Sequence, residues 1–376
     1  MPWAEVSTMS LRYEFVLLSM KPGANMAELC RRFGVSRKTG YKWRERFLRG
    51  GPTALNDRSR CPRHSPERTP ARVRSAVIAL RRRRRWGGRK IHHRLQALGH
   101  RQVPAPSTIS GILKRHGLID ANESLKHQPL CRFERAQPNE LWQMDFKGHF
   151  AIGTGRCHPL TVLDDHSRYS MALRACDNER GMTVQQELTE AFRRYGLPEQ
   201  MLMDNGSPWG SDAEHVLTPL TLWLIQLGIR VTHARPYHPQ TQGKDERFHR
   251  SLDFEVIQRR WFRDLRQCQR QFDRWRDIYN LERPHESLNM QVPAQHYRPS
   301  VRAFPEHLPD IEYGPGDQVR KVQDQGRLSF NGRWFRISKA LRGYPVALRP
   351  ATEASQWQVF FCTQYVATID LRDPKV

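Results

Sequence analysis

The stretch ELWQMDFKGHFAIGTGRCHPLTVLDDHSRYSMALRA, residues 140–175, decides the fold. Three segments inside it read as strands: 140–146, 158–164 (HPLTVLD) and 168–175 (RYSMALRA). Downstream the texture alternates. A helix fits 179–195, a short buried strand fits 200–203, a helix fits roughly 213–227, and a strand fits 229–233. Three consecutive strands followed by alternating helix and strand make an α/β layer fold around a mixed sheet.

Three acidic residues punctuate this pattern. Asp145 lies in LWQMDF (141–146), on the first strand, and Asp204 in MLMDNGSPWG (201–210), just after the fourth. Glu246 lies in HPQTQGKDERFHRSL (238–252), on the helix after the fifth. That is the order of an RNase H-like core. Carboxylates from two strands and a helix can hold a pair of divalent metal ions, which clamp the attacking and leaving oxygens of an in-line phosphoryl displacement. Asp245 is a rival to Glu246, because helical geometry turns only one of the two toward a shared site. The Phe248, Leu252, Val256 stripe leaves both open. Asp164 and Asp165 sit at the turn between the second and third strands and read as turn formers that hydrogen-bond their own backbone.

The net charge of +24 is unevenly spread. Residues 1–135 carry 30 Lys and Arg against 9 Asp and Glu, and the remainder carries 32 against 29. Such asymmetry points to a basic nucleic-acid-binding part joined to a near-neutral, core-forming part. Within the basic third, NMAELCRRFGVSRKTGYKWRERF (25–47) reads as a short helix, a Gly34-Val35-Ser36 turn and a second helix capped by Ser36. Ala27, Leu29, Cys30, Val35 and Trp43 supply its small core. The second helix presents Arg37, Lys38, Tyr41, Lys42 and Arg44, as a recognition helix entering the major groove would. A Pro-, Gly-, Ser- and Arg-rich linker follows. A second helical module then places Val73, Val77 and Leu80 on one face, with Ser107 as the expected cap of its last helix. The run Arg81, Arg82, Arg83, Arg84, Arg85 ends the first of these helices and is expected to contact phosphates.

Beyond the core, Trp261, Leu265, Cys268, Phe272, Trp275 and Tyr279 recur at helical spacing and form one apolar stripe. From about 313 the chain turns β-like: RLSF, WFRI, PVALR, QVFF and ATIDLR read as short strands, with Asn331-Gly332 as a hairpin turn. A small SH3-like barrel is the economical reading. The seven Cys are scattered and never form a CxxC pair, which argues against a disulfide framework or a Cys-rich zinc site and for a reducing, intracellular setting. No secretory signal is read at the start. The longest apolar region, around 216–229, is too polar to span a bilayer, so no membrane association is expected.

The pieces MDNGSPW, RPYHPQTQGKDERFHRSL and RPHESL resemble the DDE transposases of bacterial insertion sequences, whose catalytic core is similar to that of retroviral integrases. The resemblance covers nearly the whole chain. It implies a metal-binding triad at Asp145, Asp204 and Glu246, the motif match selecting Glu246 over Asp245. It also implies two Mg²⁺ ions, or Mn²⁺ in their place, and a homo-oligomer acting on double-stranded DNA at the element's ends and at the target. Lys244, Arg247 and Arg250 share the Glu246 helix and are expected to follow the scissile strand. The stretch SPWGSDAEHVLTP (207–219) reads as a loop enlarged relative to integrases.

The expected organisation has a helix-turn-helix DNA-binding domain at 1–50, a basic linker at 51–69 and a second helix-turn-helix-like DNA-binding domain at 70–120. An RNase H-like core with a trailing amphipathic helix spans 136–300, and a small β-barrel spans 313–376. The expected activity is 3′-end cleavage and strand transfer in the bacterial cytoplasm, at the nucleoid. Two other classes fit parts of the pattern. One is a non-catalytic DNA-binding regulator with a decayed core, and the other is a metal-dependent nuclease that cuts without joining.

Overall fold

A computed structural model describes residues 7–59, 68–120, 134–210, 217–233 and 243–372. The chain divides into two compact units, Met1–Arg68 and Thr69–Val376.

The first unit is helical, with α1 (Thr8–Ser19), α2 (Met26–Arg32) and α3 (Arg37–Gly50) around Phe15, Val16, Cys30 and Trp43. Gly34 adopts φ +64° between α2 and α3, and the Ser36 hydroxyl accepts from the Thr39 amide at 3.2 Å, capping α3 as its sequence predicts. The expected linker begins later than residue 51. Pro52–Leu55 forms a 3-10 turn whose Leu55 is fully buried against α1 and α3, so it belongs to this unit's core.

The second unit opens with α4 (Ala71–Arg84), α5 (Gly88–Ala97) and α6 (Pro106–Arg115), packed through Val77, Trp86, Ile91, Leu95 and Ile109. Ser107 is not the cap of α6. The helix starts one residue earlier, because Pro106 at its first position has the right φ and no amide to satisfy.

The mixed sheet follows. Its strands are β1 (Trp142–Phe146), β2 (Phe150–Ile152), β3 (Gly155–Asp164) and β4 (Ser170–Cys176). After α7 (Gly181–Tyr195) come β5 (Gln200–Met203), α8 (Pro219–Gln226) and β6 (Arg230–His233). Strand β1 is antiparallel to β3 and parallel to β5; β3 is antiparallel to β4, and β5 is parallel to β6. The expected strand, helix, strand order is therefore present, with β2 as an addition that lengthens the β3 hairpin. The helix expected over 213–227 starts at Pro219 within the described residues, and 211–216 lie outside them.

Side chains alternate across β1. Trp142 and Met144 join Phe192 of α7 and Leu224 of α8 in the larger core. Gln143 and Asp145 therefore belong to the other face. That face is covered by α9 (Gly243–Glu255) and α10 (Leu265–Leu281), through Phe248, Leu252, Phe272 and Tyr279. Trp261 does not continue the α10 stripe and is 70% exposed. Asp264 accepts from the Gln267 amide at 2.7 Å and starts the helix after it.

The C-terminal part is all-β. Its strands β7 (Gln318–Lys321), β8 (Arg327–Phe330), β9 (Arg333–Arg336), β10 (Pro345–Pro350), β11 (Gln356–Phe361) and β12 (Gln364–Asp370) form a four-stranded antiparallel sheet, β12-β11-β10-β7, and a β8-β9 hairpin. Asn331 and Gly332 take φ +50° and +71° at the hairpin tip, as their dipeptide predicts. The Gln364 side chain bonds both the amide and the carbonyl of Val231, at 2.9 and 3.1 Å, and ties this part to the β6 edge.

Candidate active site

Asp145 stands near the C-terminal end of β1, with its backbone paired to Thr161 of β3. The parallel β1–β5 register sets Gln143 against Leu202. Carried two residues on, it brings Asp145 beside Asp204, just past the end of β5. His233, at the end of β6, donates from Nδ1 to the Asp204 carbonyl at 2.7 Å, and the Gly206 amide donates to the Asp204 carboxylate at 3.0 Å. Asp204 is thus held through its backbone carbonyl by His233 and through its carboxylate by Gly206. Among the described residues no three His, Cys, Asp or Glu side chains are gathered closely enough to hold a metal ion.

Electrostatics bind the acidic groups together. Burial, then the neighbouring Asp204, pushes the Asp145 carboxyl up to about 7, with smaller contributions in the same direction from Glu179 and Glu246. Asp204 is raised as well, by burial first and by Glu179. Such a group of carboxyls, partly desolvated and mutually repelling, has the donor chemistry of a hard divalent cation site.

Helix α9 resolves where its two adjacent acids lie. Asp245 is 1% exposed, neither carboxyl oxygen has a hydrogen-bond partner among the described residues, and burial holds it well above the usual carboxylate range, with Asp145 and Asp165 adding to the rise. Its environment favours the neutral acid. Glu246 is exposed on the same turn and faces solvent beside Asp145.

The other candidates separate by environment. Asp164 closes its turn by accepting from the Ser167 amide and hydroxyl, at 2.7 and 2.6 Å. Asp165 is not a local turn former. It is fully buried and accepts from the Arg135 amide and Gln143 at 2.8 and 2.7 Å, and Lys244 pairs with it at 2.5 Å. Lys244 is therefore turned inward, away from a strand in solvent. Arg37, Lys38, Tyr41 and Lys42 are exposed along α3, while Arg44 is half-buried. The arginine run is divided. Arg81 donates to the carbonyls of Leu118 and Trp86, Arg84 pairs with Glu282 at 3.1 Å, and Arg85 donates to the Phe254 carbonyl at 3.0 Å. Only Arg82 and Arg83 keep exposed side chains. Arg247 and Arg250 are exposed on α9.

Two further residues meet here: His249, which the sequence leaves open between a phosphate contact and a packed helix residue, and Glu179, which it does not single out. His249 lies one helical turn beyond Asp245 with Nε2 2.8 Å from the Thr161 hydroxyl and Nδ1 4.0 Å from the Asp145 carboxyl. Burial, then Lys147, lowers it to about 4, so it is a neutral, packed imidazole that ties α9 to β3 next to Asp145. Glu179 precedes α7, pairs with His158 at 2.8 Å and faces the Asp145–Asp204 pair. Neither has a signal in residue spacing, because each comes from a different element.

The integrase core domain matches residues 135–239, and a second description of an integrase core domain matches 227–293. The C-terminal domain of IS481 family transposases matches 317–376. A helix-turn-helix domain matches 11–63 and a homeodomain-like domain 39–113. An uncharacterized 31.7 kDa protein of insertion element IS407, from Burkholderia multivorans, is 26% identical over 243 residues, 62% of this chain and 82% of that one. An uncharacterized 39.2 kDa protein of insertion element IS476, from Xanthomonas euvesicatoria, is 28% identical over 240 residues, 62% of this chain and 67% of that one. A chain of the simian T-cell lymphotropic virus intasome aligns over 79% of this chain and 100% of its own, at 16% identity and a TM-score of 0.37. Fold and matches together define a polynucleotidyl transferase with an integrase core and helix-turn-helix DNA-binding domains. The matches support a transposase of a bacterial insertion sequence that carries such a core.

Proposed function

We propose that this protein binds the ends of its own insertion sequence, cuts them and joins them to target DNA in the bacterial cytoplasm. The observation that carries the reading is the raised carboxyl of Asp145, buried beside Asp204 within an integrase core. A carboxyl pushed up to about 7 by burial first and by like charges second marks a place where a bound cation would stabilise the ionised form. Asp145, Asp204 and Glu246 would hold two Mg²⁺ ions, or Mn²⁺ in their place, which when bound neutralise phosphate charge and polarise the reacting oxygens.

The chain's own residues do the positioning. Rigid β1 and β5 fix Asp145 and Asp204, and His233 and Gly206 hold the Asp204 backbone and carboxylate. Water attacks the phosphorus at the element end; a P–O bond forms, the bond to the 3′ oxygen breaks, and a 3′-OH is left. That 3′-OH then attacks a target phosphodiester in the same site and displaces the target's own 3′ oxygen. Both steps are phosphoryl transfers that rest on orientation and charge neutralisation, with no covalent enzyme intermediate. The exposed Arg37, Lys38, Tyr41 and Lys42 would read DNA, and a homo-oligomer would pair the two ends.

The test incubates purified protein with Mg²⁺, a labelled element end and a target plasmid. Joined product is expected from the wild type. Asp145→Asn, Asp204→Asn and Glu246→Gln should each abolish joining and leave end binding intact. Cut product alone would indicate a nuclease, and binding alone a regulator. Joining at the wild-type rate by Asp145→Asn would overturn the triad.

A further inference from the structure

Within the second unit, an open groove of about 1020 Å³ separates the helices α4–α6 from the Glu246 helix α9. One wall is built by the N-terminal ends of α5 and α6, with Gly88, Lys90 and Ser107; the other is built by α9, with Arg247 and Arg250. Each of the two helices is ten residues long, and neither has a side-chain cap at its start. Their positive dipole ends and first amides are therefore offered to the groove.

The groove's cations fall into two sets. Arg81 and Arg85 are taken up by backbone carbonyls, Arg283 pairs with Glu255 at 3.1 Å, and Arg89 pairs with Glu286 at 3.8 Å. The side chains of Lys90, Arg247 and Arg250 make no ion pair or hydrogen bond among the described residues. The nearby carboxylates are engaged elsewhere: Asp253 by Lys147 at 3.1 Å, and Glu255 by Arg283 and the Trp275 indole. Burial, then Arg283, lowers Lys90 to about 7 against opposition from Glu255, with Arg247 adding a smaller push in the lowering direction. Crowded cations beside two open helix starts form a site complementary to an extended polyanion.

We propose that this groove grips the sugar–phosphate backbone of the DNA whose end lies at Asp145, Asp204 and Glu246, with Lys90, Arg247 and Arg250 as phosphate-positioning residues. The inference rests on the proposed DNA-joining activity and extends it. The second helical module and the catalytic helix then hold one strand between them. Arg247 adjoins Glu246, and Arg250 lies one turn further on, so a backbone lying along α9 leads to the carboxylates.

Fluorescence anisotropy of the full chain with a labelled duplex ending in the element's terminal sequence, across a salt series, tests this. Lys90→Gln combined with Arg250→Gln should flatten the dependence of log affinity on log salt by about 1.8, roughly 0.9 per lost phosphate contact. Binding should weaken roughly tenfold or more. Lys90→Arg should restore the slope contributed by Lys90. Lys321→Gln, a charge loss on exposed β7, should leave slope and affinity as they are. The single Arg250→Gln, at an exposed position, gives the same reading at half size if the double variant unfolds. A wild-type slope and affinity in a folded double variant overturns the groove. Loss of slope supports it whether or not the wild type joins DNA. If the wild type binds but neither cuts nor joins, the proposed activity fails independently.

Discussion

Asp145 is a carboxyl that its surroundings favour in the protonated form. Burial is the larger cause, and Asp204 the next. Its folded pKa of about 7 lies above the unfolded value, so the folded protein binds the extra proton more tightly. The ionised group thus costs stability, and the cost grows as pH rises from about 4 through about 7. Asp145→Asn removes it. In chelator at pH 8 the variant should be more stable than the wild type by on the order of 2–4 kcal/mol, read as a higher thermal unfolding midpoint. The gain should shrink steadily as pH falls toward 5; a gain independent of pH would show that charge repulsion is not its source. The positions of Asp145 and Asp204 were legible because each ends or follows a short apolar strand. The pairing of Asp245 with the interior was not. Whether Asp245 or Glu246 turns inward depends on how α9 rolls against β1, a packing outcome fixed by Phe248 and Leu252 together with elements far away in the chain.

Elements were legible where period or turn chemistry was strong. The α10 stripe from Cys268 to Tyr279, the β5 strand and the Asn331-Gly332 hairpin all follow from local pattern. Strand β7 was not legible, because Gln318–Lys321 is exposed throughout and shows no alternation; it exists through its pairing to β10. Trp261 fits the α10 period yet sits outside the helix, since the Asp264 cap sets where the helix begins. The start of α5 carries a constraint that no periodicity reveals. A Cβ on Gly88 would lie 2.5 Å from the Ser110 hydroxyl and 2.6 Å from the Pro106 carbonyl, while one on Gly87 would meet nothing within 4 Å. The Pro106 carbonyl is backbone and cannot swing aside. Gly88→Ala should therefore destabilise the α4–α6 module by about 1–3 kcal/mol and raise hydrogen exchange in α5 and α6, whereas Gly87→Ala should do neither. Equal effects of the two would refute the close approach.

At the scale of the molecule, the concentration of positive charge in the first third does two jobs, and the sequence distinguishes only one. Read as a run, Arg81–Arg85 is a phosphate patch; in the folded chain part of it fastens α4 to the integrase core. Arg84 and Arg94 converge on Glu282 at 3.1 and 3.0 Å, at the end of α10. Arg259 donates to the carbonyls of Arg83 and Arg82 at 3.0 and 3.1 Å, and Arg85 lies over the Phe254 ring at 4.2 Å. Glu282 thus answers two guanidiniums, with Arg84 only 13% exposed. Glu282→Gln keeps an acceptor oxygen and removes the charge, leaving two arginines to repel each other across the joint. The contact is half-buried, so its loss should cost about 1–2 kcal/mol, between the values for exposed and buried pairs. That is too little to unfold the sheet and enough to loosen the joint. Hydrogen exchange should rise at the end of α4 and the end of α10, with β1, β3 and β5 unchanged. Strand joining should fall several-fold, because the groove beside Glu246 depends on the placement of α5 and α6. Restored joining in a Glu282→Asp variant, with wild-type exchange at α4, would tie the loss to the charge itself; unchanged exchange in Glu282→Gln would mean that the arginines hold the module by their carbonyl contacts alone.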